Sequence, residues 1–128
     1  MNETEAGSCE LLQAKLEGLH EEVLALSKKS PNDSLNKFKL TLVNGILAAA
    51  NEFLVAQRAG LPVVGFQQFD NEEMPSNSDV VLVVSQYRQC IEKLRADNIV
   101  FYFGQWYWLI DGQRSEDRTA APRSMAHG

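Results

Sequence analysis

Little in this chain is suited to catalysis or to holding a metal. Two histidines and two cysteines occur among 128 residues. His127 stands next to the C-terminus, and His20 sits beside an apolar seam with Glu17 and Glu21 near it. Neither has a partner motif that would make it a general base. Cys9 and Cys90 lie far apart and form no CxxC pair. Both are expected as buried, reduced small hydrophobes of low reactivity. No GxSxG, Walker loop, GxGxxG or HExxH is present. Zinc would find no Cys/His cluster. The acidic stretch Asp70, Glu72, Glu73 and Asp79 lacks the spacing that hard cations require, and Met74-Pro75 interrupts it. The expectation is therefore a protein that is not an enzyme, with no cofactor and no metal.

Positive charge and long apolar runs are scarce as well. A net charge of −5 and a pI near 5.0 speak against nucleic-acid binding by bulk electrostatics, though not against a local basic patch. No uninterrupted apolar run approaches the roughly 18 residues of a membrane span. No membrane role is expected. Met1-Asn2-Glu3-Thr4-Glu5 is acidic, where a secretory leader would be basic and then apolar, so a cytoplasmic location is expected.

What is present has helical periodicity. Leu12, Leu16, Leu19, Val23 and Leu26 recur at steps of four and three, opposed by Glu10, Gln13, Glu17 and Glu21. This predicts a first helix from Cys9 to about Lys28, capped by Ser8, with residues 1–8 flexible. A second helix is predicted to start at Ser30-Pro31 or Ser34 and to run to about Ala59, closed by Gly60. It carries two apolar stripes: Phe38, Leu42, Ile46, Ala49 and Phe53, and beside them Leu40, Val43, Leu47, Ala50 and Leu54. Such a helix should be central. A link over 61–78 follows, with Phe66 and Phe69 expected to pin it to the core. The third helix is expected after Ser78, running to about Ala96 on Val80, Val84, Tyr87, Ile91 and Leu94. Residues Val80–Val84 also fit a buried strand by composition; the spacing that continues to Leu94 favours the helix.

Aromatics are concentrated at one place. Six of the eleven fall in Phe101-Tyr102-Phe103-Gly104-Gln105-Trp106-Tyr107-Trp108. That stretch reads as a β-hairpin with a type II′ turn at Gly104-Gln105, pairing Phe103 with Trp106 and Tyr102 with Tyr107. Side-chain alternation puts Ile99, Phe101, Phe103, Trp106, Trp108 and Ile110 on one face, and Val100, Tyr102, Tyr107 and Leu109 on the other. After Asp111-Gly112 the apolar periodicity ends, and 113–128 is expected to be a disordered tail.

The fold class expected is α+β, mainly helical: a three-helix core with a C-terminal aromatic hairpin, one globular domain over 9–112. The function expected is a small adaptor, regulator or accessory subunit that binds a protein partner or a second copy as a homodimer. Its contacts would be Val100, Tyr102, Tyr107 and Leu109, with Asp70, Glu72 and Glu73 supplying charge selectivity. A helix running straight into a hairpin is also how winged-helix domains end. In that disfavoured alternative, Arg88, Lys93 and Arg95 would contact nucleic acid.

Overall fold

A computed structural model describes residues 1–62, 69–70 and 72–123. Three helices, α1 (Glu3–Lys29), α2 (Lys37–Ala56) and α3 (Asn77–Ala96), precede three strands, β1 (Ile99–Tyr102), β2 (Gln105–Ile110) and β3 (Gln113–Thr119). The fold is α+β and mainly helical, as the periodicity implied.

Helix α1 begins well before Ser8. Asn2 caps it, accepting from the Glu5 backbone N–H while the Glu5 carboxylate accepts from the Asn2 N–H. The first turns are held by burial of Ala6 and Cys9, and Met1 packs against the core. Residues 1–8, expected to be flexible, are therefore mostly the start of this helix. The buried face is also rotated from the leucine seam. It runs Ala6, Cys9, Leu12, Gln13, Leu16, His20 and Val23, so Leu12, Leu16 and Val23 of the seam share it with two polar residues, while Leu19 and Leu26 are half-buried.

Helix α1 lies antiparallel to α3. Gln13 bonds Glu92 near one end, and the Asn77 side chain donates to the Ser30 carbonyl at the other. The Leu40, Val43, Leu47, Ala50 and Leu54 stripe of α2 is fully buried in the same core. Asn36, rather than Ser30 or Ser34, caps α2. The helix ends at Ala56 rather than near Ala59. Arg58 takes the left-handed conformation (φ 53°), with Ala59 N–H bonding Leu54 O and Arg58 N–H bonding Val55 O. An arginine thus holds the position for which Gly60, two residues on, was the sequence signal. The α1–α2 connection pairs with the residues before α3: Ser34 bridges Ser76, and Leu35 N–H donates to Pro75 O. Ser76, two residues earlier than expected, caps α3. Val80–Val84 is helical, with Val80, Val84, Tyr87 and Ile91 buried.

The strands form one antiparallel sheet in the order β1-β2-β3. Phe103 and Gly104 both have positive φ (47° and 78°), so the two-residue turn is Phe103-Gly104, of type I′ geometry. The register is Ile99 with Trp108, Val100 with Tyr107, Phe101 with Trp106 and Tyr102 with Gln105. It differs by two residues from the expected pairing. An even slip preserves the alternation, so the face assignments survive it.

A third strand replaces much of the expected tail. Asp111 and Gly112 (φ 50° and 81°) form a second left-handed turn, and β3 returns along β2 with an irregularity between Tyr107 and Leu109. Residues 124–128, the remainder of that tail, lie outside those described. One sheet face packs on the helices: Trp108 and Ile99 are buried, and the Trp108 indole N–H donates to Glu10 at 2.8 Å.

Candidate interaction surfaces

The outer sheet face carries Val100, Tyr102, Tyr107 and Leu109, as the alternation required, and β3 changes its chemistry. Pairing of Leu109 with Arg114 and of Tyr107 with Arg118 brings two arginines to this face. The Arg114 guanidinium carbon lies 4.0 Å from the Tyr102 ring centroid and 5.5 Å from that of Tyr107. Such a stack adds about 0.5–1 kcal/mol at an exposed site. Val100, Tyr107 and Leu109 are half-buried.

The exposed aromatics sit at the turn instead. Phe101, Tyr102 and Phe103 are 57%, 43% and 84% exposed. The Tyr102 and Phe103 rings meet edge-on at 4.5 Å, and Phe101 tilts against Trp106 at 5.5 Å. Phe103 leaves both faces because it belongs to the turn rather than to a strand. Its place beside glycine was the available signal, masked by reading Gly104 as the first turn residue.

The acidic loop does not share this surface. Ser76 caps the N-terminal end of α3, and the sheet follows the C-terminal end, about 30 Å away at the usual helical rise. Asp70 and Glu72 line a cavity with Thr41, Gly45 and Ala48 of α2, and Glu73 borders Met74, Pro75 and Leu82. Asp70, Glu72 and Glu73 thus lie toward the end of α3 away from the hairpin. Phe69 is anchored nearby: its N–H donates to Asn44 Oδ1 and its carbonyl accepts from Asn44 Nδ2. Phe66, the other expected pin, lies outside the described residues.

The three basic side chains on α3 do not form one patch either. Arg95 is fully buried (0% exposed). Its Nε and one terminal nitrogen grip both Glu92 oxygens at 2.8 Å. The guanidinium also donates to Thr119 Oγ1 and to the carbonyls of Ala120 and Ala121. A residue so enclosed cannot reach a phosphate. Arg88 is half-buried with its Nε unpartnered, and Lys93 is exposed, 3.2 Å from Asp97.

The Glu92–Arg95 pair organises the end of the chain. Gln13 Nε2 donates to Glu92, and the Arg123 backbone N–H donates to its other oxygen at 3.0 Å, while the Arg123 side chain pairs with Glu17 at 3.3 Å. Burial would raise the Glu92 carboxyl, but Arg95 and the Arg123 N–H outweigh it and hold it below the ordinary carboxylate value.

Chemically competent groups stay apart. Cys9 is buried, and burial pushes its thiol up to about 12. Burial also raises Cys90, which lines a cavity with Gln57, Arg58 and Gln89 that contains neither His20 nor the loop carboxylates. Among the described residues no group of three His, Cys, Asp or Glu side chains could hold a metal.

One further surface went unnoticed in the sequence. Phe38, Leu42 and Val55 of α2 are 75%, 53% and 55% exposed. The expected central helix thus buries one stripe and leaves much of the other uncovered. Among the described helices α2 alone is long and apolar enough to cross a membrane, yet its Leu40–Leu54 stripe is core. Compared with known proteins, the chain matches no family model, no curated protein and no solved structure.

Proposed function

We propose that this chain is a non-enzymatic protein-interaction module that docks a partner protein through the tip of its aromatic hairpin. The observation that carries this reading is the exposure of three consecutive aromatics, Phe101, Tyr102 and Phe103, on a two-residue turn. A rigid turn presents large apolar area with little ordering entropy left to lose, the property that makes aromatics effective at interfaces. Val100, Tyr107 and Leu109 would form the adjoining floor, and Arg114, held on Tyr102, would border it.

The test is quantitative capture with the full chain and with a Phe101→Ser/Phe103→Ser double variant. Both side chains are exposed, so the variant should keep its helical circular dichroism and melting temperature. A partner retained by the wild type should drop at least tenfold with the variant, the effect of losing about 1.4 kcal/mol of contact. Equal recovery by both chains would sink the reading.

A second reading rests on Tyr102 and Tyr107 sharing a face with Arg114 and Arg118. Aromatics beside arginines suit stacking on single-stranded nucleic acid. The net charge of −5 argues against it. Salt-sensitive binding of a fluorescent oligonucleotide, lost in Arg114→Glu, would favour this reading over the first.

A further inference from the structure

Among the described residues, the outward face of α2 presents a seam that no helix or strand covers, with Phe69, Asp70 and Glu72 along one edge at Gly45 and Ala48. Phe38, Leu42, Gly45, Ala49, Glu52 and Ala56 follow one another at steps of four and three along α2, and all are exposed. They lie directly opposite the buried Leu40–Leu54 stripe. Phe38 and Leu42 occupy the N-terminal half, and Ala49 and Ala56 with Glu52 between them the C-terminal half, on either side of Gly45. A Cβ built on Gly45 would meet nothing within 4 Å. A helix exposing this much apolar surface normally has an occupant.

We propose that the occupant is a second copy of this chain, packed antiparallel on α2 about a two-fold axis at Gly45. That operation is set by shape and charge. It lays Leu42 over Ala48 and Ala49 of the other copy and Phe38 against the aliphatic stem of Glu52, between Ala49 and Ala56. The backbones approach closely where the two glycines meet. Glu52 and Lys37 fall on the same side of the seam, so Glu52 of each copy meets Lys37 of the other, giving two such pairs per dimer. A parallel pair would instead stack Phe38 on Phe38 and Glu52 on Glu52. Isologous pairing of this kind is the commonest closed assembly. The inference does not rest on the hairpin, which lies on other elements.

The experiment is sedimentation equilibrium of the full chain across a concentration series, with a disulfide readout beside it. Wild type should dimerise, and Leu42→Glu, at an exposed position, should raise the dissociation constant at least about tenfold. Lys37→Glu and Glu52→Lys should each weaken the dimer, and the two together should restore it. In a Cys90→Ser background, Gly45→Cys should cross-link to its own copy rapidly, whereas Phe38→Cys should not. The Phe101→Ser/Phe103→Ser variant should remain dimeric, which separates failure here from failure of the hairpin reading. A wild-type monomer at every concentration would overturn the proposal, as would a dimer indifferent to Leu42→Glu. Equal cross-linking of Phe38→Cys would overturn the antiparallel geometry. A monomer that binds phosphatidylcholine vesicles and loses them in Leu42→Glu would assign the face to a membrane instead.

Discussion

Replacing Arg95 with methionine should be the most damaging single change outside the apolar core. The side chain is fully buried and makes five hydrogen bonds, two to Glu92, one to Thr119 and one each to the carbonyls of Ala120 and Ala121. Methionine fills a similar volume but supplies no donor. The cost comes chiefly from what is left behind: a buried Glu92 carboxylate keeping Gln13, the Arg123 N–H and, at 3.7 Å, the half-exposed Arg123 guanidinium. Breaking one side of a buried ion pair costs about 3–5 kcal/mol. Total stability for a domain of this size is about 5–15 kcal/mol. Arg95→Met should therefore lower the melting temperature by about 9–30 °C, at some 3–6 °C per kcal/mol. Urea denaturation followed by circular dichroism measures the loss, and a cycle with Glu92→Met isolates the coupling. The double variant should be more stable than Arg95→Met alone, because the orphaned charge is gone. A loss below 1 kcal/mol, or a double variant no better than the single, would refute the reasoning. The pair also sets a pH limit. The Glu92 carboxyl is lower in the folded chain than in the unfolded one, so its contribution is fully present above the ordinary carboxylate value and is lost as pH falls through the folded value.

Two other outcomes follow from the same contacts. Ending the chain at Gly112 removes β3 and the acceptors that Thr119, Ala120 and Ala121 offer Arg95; it should cost about 2 kcal/mol or more, measured by thermal melting, and an unchanged melt would show the strand to be dispensable. His20 is buried with its Nε2 unpartnered, and burial, with Arg88 opposing a second cation, holds its pKa below the ordinary value, Glu21 working weakly the other way. The unfolded chain therefore takes up the proton first, and stability should be full above the ordinary histidine value and fall below it. His20→Leu should flatten that dependence between about pH 7 and pH 5 in urea titrations; a slope that persists would exonerate the histidine.

The helices were legible because their apolar repeats are long, and α3 resolved the ambiguity at Val80–Val84 in favour of the unbroken spacing to Leu94. Faces of the hairpin were legible too, since alternation is insensitive to an even slip in register. The turn itself was not, because Phe103 adopts a left-handed conformation that a non-glycine residue seldom takes. Strand β3 was invisible to apolar pattern: Gln113-Arg114-Ser115-Glu116-Asp117-Arg118-Thr119 has nothing to alternate. Asp111-Gly112 was the readable sign, a favoured dipeptide for a type I′ turn, taken instead as the end of the domain. Arg95, at the end of its helix, is expected at the surface as a contact of the disfavoured nucleic-acid alternative, since arginine is seldom fully buried. Only the return of residues 119–123 encloses it, and a long-range contact leaves no mark in local sequence.

That return also governs the order in which the chain can be completed. Glu10 accepts a hydrogen bond from Thr119, a separation of 109 residues. At about 5–20 residues per second of synthesis, the first helix waits on the order of 5–20 s for its final partner. Meanwhile Gln13, a polar member of its inward face whose partner Glu92 lies 79 residues on, has only water to satisfy it. Helix α1 thus reaches its native polar environment only once segments 79 to 109 residues further along the chain have been made.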